Sequence, residues 1–460
     1  MNPTRRTQSL VMSALIGTLL APALAEDKPK VEASTPIASG TRFVEKLAKE
    51  DFAGAVAQFD ATMKGALPEQ KLRETWQTLK KQVGPFQRQL GAKVTHQDKY
   101  NVVLVTCQFE QMKLDAKVVF DSQGQIAGLF FSPSQAEAEA SGPPPYARTN
   151  TFRETAITVG RGEWRLPGTL TLPTTVAGPW PAVVLVQGSG PNDRDETVGA
   201  NKPFRDLAWG LATKGIAVLR YEKRTKEHAM KFVSVGLGKL TVQEETIDDA
   251  LSAAAQLRQT DGIDSKRIFV LGHSLGGSVA PRIGQVAPRI GQADPKLAGL
   301  VILAGSTRPL EDSIVEQTRY LLTLKGPLSA EGEAKLAEIK ASDDKVKKLT
   351  TADASSSEVI LGAPATYWLD LRSYDPLATA RKLKQPLLIL QGGRDYQVTR
   401  TDFDGWKAGL EGHTNVSFKL YPDLNHLFIA GTGQSTPEEY EQAGHVAGSV
   451  VTDIALWMRK

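Results

Sequence analysis

A chain of 460 residues exceeds the roughly 250–300 at which a single hydrophobic core stops growing, so more than one domain is expected. With 41% hydrophobic and 23% charged residues its composition is that of a globular protein, which excludes disordered and fibrous classes. The net charge is only +4 and no Lys/Arg cluster is interleaved with aromatics, which argues against a nucleic-acid partner.

Residues 1–25 read as a cleaved targeting segment. Arg5 and Arg6 supply a positive flank, Leu10 to Leu20 an apolar core, and Ala23-Leu24-Ala25 a small-residue cleavage pattern, so a mature chain starting at Glu26 is expected. The apolar core is shorter than the ~20 residues of a membrane span. No cysteine follows the cleavage site to carry a lipid, so no stable membrane anchor is expected. Thr4-Arg5-Arg6 leaves a twin-arginine route open, although Gln8 stands where such signals prefer an apolar residue. Cys107 is the only cysteine, which rules out an intrachain disulfide and suits an exported protein of a bacterial periplasm or exterior.

Residues 36–134 carry their own pattern. Thr41 to Phe59 has helical spacing through Phe43, Leu47, Phe52, Val56 and Phe59, and Glu69 to Val83 is a second helical stretch. Val102 to Val105, Leu114 to Phe120 and Ile126 to Phe131 read as strands, with a turn at Asp121 to Gly124. Helices followed by a meander predict a small α+β domain. It holds no acid/base cluster, so a binding or spacing role is expected. Residues 135–150, with alternating Ala and Glu and then Pro143-Pro144-Pro145, form a linker to a second domain over 151–460.

In that domain Pro181 to Gln187 is an apolar strand running into Gly188-Ser189-Gly190-Pro191, and Arg267 to Leu271 is another. The latter leads into Gly272-His273-Ser274-Leu275-Gly276, followed by a Gly-rich helix start. This is the G-x-S-x-G pattern of a nucleophile elbow, in which a strained turn lifts a serine Oγ off the end of a strand. A serine hydroxyl is a poor nucleophile at neutral pH. It needs a histidine to take its proton and a carboxylate to orient that histidine. Pro386 to Gln391 is a buried strand that ends in Gly392-Gly393-Arg394-Asp395, and Val416 to Tyr421 is the last strand, followed by Pro422-Asp423-Leu424-Asn425-His426. The strand ends of a parallel sheet meet on one rim. Ser274, Asp395 and His426 are therefore the candidate catalytic residues.

The competing residues fit less well. His96, His228, His273, His413 and His445 are expected to be solvated or core histidines, with His273 pointing away from the serine. Asp402 and Asp404 are expected to enter the next helix, and Asp423 shares a loop with His426. Two further features are non-catalytic by expectation. Ala280 to Gln285 recurs as Ala287 to Gln292, a seven-residue step close to two helical turns, which should lengthen or kink the helix behind the serine. Residues 307–375 interrupt the strand–helix rhythm and read as a helical insert over the rim, a lid.

On Gln187 to Asp195, Gly272 to Gly277, Gly392 to Asp395 and Asn425-His426, the chain from about Thr151 to Lys460 resembles the α/β-hydrolase superfamily. It is similar above all to bacterial exported esterase-like serine hydrolases with a small NTF2-like domain at the N-terminus. The resemblance implies an α/β fold of mostly parallel sheet, the Ser274–Asp395–His426 chain order, and an oxyanion hole from the amides of Leu275 and Ser189. Gln187 departs from the histidine of many lipases and esterases, and a serine nucleophile departs from dienelactone hydrolases. The expected function is hydrolysis of small carboxylic esters through an acyl-enzyme, with no cofactor and no metal. A peptidase or amidase of the same fold is the alternative, and an intact triad argues against a mere binding protein.

Overall fold

The computed structural model describes residues 35–460 apart from 98–99, 111, 135–141, 230, 233–239, 287–296 and 357. The targeting segment, the first half of the linker and the second copy of the repeat lie outside the described residues. The chain divides into two compact units, one with the described residues up to Ser134 and one with those from Gly142 onward.

The first unit opens with helices Pro36–Ala48, Phe52–Val56, Ala61–Ala66 and Glu69–Val83. An antiparallel sheet follows in the order β1 (Phe86–Gln97), β2 (Tyr100–Phe109), β3 (Lys113–Phe120), β4 (Ile126–Pro133). The helical spacing over Thr41 to Phe59 is broken once. Glu50 turns left-handed at φ 59°, and the Asp51 carboxylate then caps the next helix by accepting from the Gly54 amide at 2.9 Å. Strand β1 was not expected, because Gln87, Arg88, Gln89, Lys93 and Thr95 mask its alternation; its partner β2 supplies the apolar face. Phe43, Leu47, Phe52, Phe59 and Trp76 close on Val103, Val105, Phe109 and Val118, and Trp76 lies 5.7–6.1 Å from the rings of Phe86, Phe109 and Phe131.

The second unit is built on eight strands: β5 (Phe152–Val159), β6 (Leu166–Pro173), β7 (Trp180–Val186), β8 (Ala217–Tyr221), β9 (Ile263–His273), β10 (Gly299–Leu303), β13 (Leu387–Gly392) and β14 (Val416–Tyr421), while β11 (Val359–Ile360) and β12 (Ala363–Pro364) form a separate small hairpin. The spatial order is β14-β13-β10-β9-β7-β8-β6-β5. Every neighbour from β14 to β8 is parallel, whereas β6 runs against both β8 and β5. This is the α/β-hydrolase arrangement.

The near-continuous apolar strands make sense in this setting. On β7, Ala182, Val184 and Val186 face one core while Val183 and Leu185 face the other; β9, β10 and β13 alternate in the same way. Helices Asp248–Arg258, Leu275–Val286 and Arg400–Gly409 cover the first face, and Pro203–Thr213 and Gly448–Met458 the second. Residues between β10 and β13 form helices Leu310–Thr323, Ala330–Lys348 and Ala365–Arg372. Buried Asp402 fixes the start of this insert, accepting from Ser306 Oγ at 2.9 Å and Thr307 N at 3.0 Å and pairing with Arg308 at 2.7 Å. Burial would raise the Asp402 pKa, but Arg308, the Ser306 hydroxyl and the Thr307 amide together hold the carboxyl below its ordinary value. The first copy of the repeat lies in helix Leu275–Val286, which carries Pro281 within it.

Candidate active site

Ser274 stands between the end of β9 and helix Leu275–Val286 with φ +55°, a left-handed value that a residue bearing a side chain holds only under constraint. Its amide donates to Leu303 O at 2.9 Å and its carbonyl accepts from Ser278 N at 2.9 Å, which fixes the turn from both sides. The glycines leave no alternative. A Cβ on Gly272 would lie 2.0 Å from Gly276 O, and one on Gly276 would lie 2.3 Å from Val186 O. The turn therefore presses between strands, and Ser274 is left half-buried at the rim.

The next two candidates are in direct contact. His426 Nδ1 meets Asp395 Oδ2 at 2.7 Å, and both side chains are buried. A carboxylate can only accept, so Nδ1 carries the proton and Nε2 is left with a lone pair. Asp395 is held in turn. Its Oδ1 accepts from the amides of Gln397 and Val398 at 2.8 and 2.9 Å, and Oδ2 also accepts from Gln391 Nε2 at 3.1 Å. The two loops touch backbone to backbone, since a Cβ on Gly392 would lie 2.5 Å from Leu424 O and Asn425 O. Buried Asn425 braces the histidine loop by accepting from Leu427 N at 3.0 Å and Ile429 N at 3.1 Å. Neither Ser274 Oγ nor His426 Nε2 has a hydrogen bond to another described residue; catalytic hydrogen bonds are commonly completed only when substrate is present.

Leu275 is the first residue of its helix, so its N–H has no intrahelical acceptor. Ser189 is exposed on the loop after β7. Gly188 brings that loop against the serine, because a Cβ built on it would sit 3.0 Å from Ser274 Cβ and 3.5 Å from Ser274 Oγ. Gln187 is also explained: its amide donates to Tyr221 O at the end of β8, tying the loop to the neighbouring strand. Asp423 is exposed, and Asp404 is exposed and pairs with Arg400. Among the described residues no group of three or more His, Cys, Asp or Glu is placed to hold a metal ion.

Residues outside the expected set complete the surroundings. His273 is buried, with Nε2 2.9 Å from His426 O and Nδ1 3.0 Å from Glu196 Oε2, while Glu196 Oε1 accepts from Gly188 N at 2.6 Å. The pair thus bridges the Gly188 loop and the His426 loop. His273, expected to be a solvated or core histidine, is a buried brace between these two loops. Both its nitrogens face acceptors, which suits the imidazolium. Burial would lower its pKa, but the Glu196 carboxylate, the His426 carbonyl and the charge of Asp395 together hold it above the ordinary value. His228, expected to be a solvated or core histidine, is buried, with Nε2 3.0 Å from Arg165 O.

The raised His273 value has a stability consequence of definite sign. A group whose folded pKa is raised stabilises fully below its unfolded pKa, about 6.5 for histidine, and loses that contribution as pH rises through the folded value. The melting-temperature advantage of the wild type over Glu196→Gln is therefore expected to be greatest below that pH and to shrink on going alkaline. Thermal melts across pH check this, and an advantage that grows toward alkaline pH would contradict it.

A serine on a strained turn at a strand end and a histidine whose Nδ1 is held by a carboxylate are the parts that acyl transfer requires. Comparison with known proteins agrees in kind. Residues 201–431 match the family described as "Serine aminopeptidase, S33", and residues 41–129 match one described as a protein of unknown function (DUF3887). The chain is 41% identical to Esterase EstD of Thermotoga maritima over 419 residues, covering 91% of this chain and 94% of that protein. Among solved structures, Est1E from Butyrivibrio proteoclasticus matches with a TM-score of 0.41 at 14% identity, over 66% of this chain and 98% of that one. Porphyromonas gingivalis dipeptidyl peptidase 4 matches with a TM-score of 0.41 at 16% identity; the match covers 80% of this chain but only 43% of the peptidase.

Proposed function

The chain belongs to the serine aminopeptidase S33 family of α/β-hydrolases, and on that premise we propose that it is an exported serine hydrolase of small carboxylic esters. Ser274 attacks the ester carbonyl, His426 Nε2 takes the hydroxyl proton and returns it to the leaving alcohol, and Asp395 orients His426. The amides of Leu275 and Ser189 receive the oxyanion. A water activated by His426 then releases the acid and restores Ser274. The observation that carries ester over amide is the 41% identity to Esterase EstD across nearly all of both chains.

The family description favours a second reading, an aminopeptidase. A panel of p-nitrophenyl esters run beside amino-acid p-nitroanilides separates the two, and esters are expected to turn over faster by orders of magnitude. Faster anilide turnover would reverse the assignment. Every proposed catalytic residue lies in 151–460, so we assign the chemistry to that part, the insert at about 307–375 acting as a lid. Residues 151–460 alone should rank the esters as the whole chain does.

Export is supported by Arg5 and Arg6, the apolar run and Ala23-Leu24-Ala25. No helix among the described residues is long and apolar enough to cross a membrane. N-terminal sequencing of protein from the periplasm or medium is expected to start at Glu26, and an intact Met1 would contradict cleavage.

A further inference from the structure

Lys223 is a buried cation outside the catalytic set. It lies two residues beyond the end of β8 and is 1% exposed. Strand β8 pairs with β7 in parallel, so the rim loop after β8 lies beside the Gly188 loop. Across that short gap Lys223 Nζ donates to Gly188 O at 2.6 Å, and Asn192 Nδ2 donates to the same oxygen at 3.1 Å. The ammonium also pairs with Glu245 Oε2 at 3.4 Å. Glu245 is buried and accepts from Thr225 Oγ1 and Tyr367 Oη, each at 2.7 Å, the latter from helix Ala365–Arg372 of the insert.

A surface carbonyl needs no such arrangement, since water would satisfy it, and burying an ammonium is costly unless it is paired and bonded. The geometry gives the expense a purpose. Gly188 C=O and Ser189 N–H belong to one planar trans peptide, so the two point in opposite directions. A Cβ on Gly188 would sit 3.0 Å from Ser274 Cβ, and the Gly188 N–H is already taken by Glu196. Fixing the carbonyl on Lys223 therefore fixes the direction of the next amide. It also polarises that peptide, because a cation on the oxygen makes the N–H a stronger donor.

We propose that Lys223 is a positioning residue for the oxyanion hole: its bond to Gly188 O turns and polarises the Gly188–Ser189 peptide so that the Ser189 amide meets the charge developing on the substrate oxygen. The inference rests on the proposed ester hydrolysis. Through Glu245 and Tyr367, the same connection couples the insert to the strength of the oxyanion site.

The test uses the full chain and counts active serines by organophosphate titration, so that turnover is expressed per competent site. Lys223→Met keeps the length of the side chain and removes its charge. The double variant Lys223→Met/Glu245→Gln leaves no carboxylate stranded and guards against a folding defect in the single one. Both are expected to lose about 10–100-fold in kcat per titrated serine, with KM for a short p-nitrophenyl ester within about twofold, because the lost bond acts on the transition state. Affinity for a trifluoromethyl ketone, whose hemiketal oxygen occupies the oxyanion position, should fall by the same factor. Turnover per titrated serine and ketone affinity within about twofold of wild type, in either folded variant, would overturn the proposal. Wild-type ester hydrolysis that Ser274→Ala abolishes is the control; its failure would instead overturn the underlying functional reading.

Discussion

Ser274→Ala is expected to lower kcat for ester hydrolysis by roughly 10⁴–10⁶-fold while leaving the fold intact, because the members of a nucleophile–base unit act together. Removing Oγ removes the only atom able to form the acyl-enzyme, and what remains is whatever the oxyanion donors and binding contribute to attack by water. The substitution is mild structurally. Alanine keeps the Cβ that already tolerates φ +55°, and the bonds fixing the turn are made by the Ser274 backbone to Leu303 and Ser278. Melting temperature should therefore stay near that of the wild type. Steady-state kinetics on a short p-nitrophenyl ester, with a melt of the same preparation, checks both halves; substantial residual turnover would remove Ser274 from its role.

Asp395→Asn is expected to cost about 10⁴-fold in kcat, near the loss known for the equivalent change in a serine protease. The reason lies in the donors around it. Gln397 N and Val398 N both approach Oδ1 and require an acceptor there, so the asparagine oxygen takes that place. Its NH2 group then faces His426 Nδ1 and Gln391 Nε2. To avoid two opposed donors, His426 must shift its proton to Nε2, the nitrogen that is proposed to accept from Ser274. Volume and packing hardly change, so stability should move far less than activity. Rate measurements across pH test this. A variant within about tenfold of wild type, a barrier change of only about 1.4 kcal/mol, would show that Asp395 does not set the tautomer.

Sequence legibility follows from where the information is local. The strands ending at Gln187, Leu271 and Gln391 were readable as apolar runs because both faces of a parallel sheet are buried, the edge strand ending at Tyr421 by alternation of Val416, Phe418 and Leu420 with exposed Ser417 and Lys419, and glycines marked the turns at 272, 276, 392 and 393 where loops touch backbone to backbone. The observed β7, β9, β13 and β14 agree with those runs to within a few residues. Strand β1 was hidden by its polar residues, since only pairing with β2 makes it a strand. Asp395 and His426 were readable as residues following separate strands, and their side chains do meet. Glu196, His273 and Lys223 were not. Glu196 reaches Gly188 from eight residues away, and Lys223 reaches it from the next strand's loop 35 residues on. No spacing rule relates such positions; only the sheet order brings them together.

The central claim, that Ser274 is an activated nucleophile, is tested most directly by treating the protein with a fluorophosphonate and mapping the adduct by peptide mass spectrometry. One phosphonylated residue, Ser274, is expected, with ester hydrolysis lost in proportion to labelling. An adduct on another residue, or full activity in protein labelled at Ser274, would contradict it.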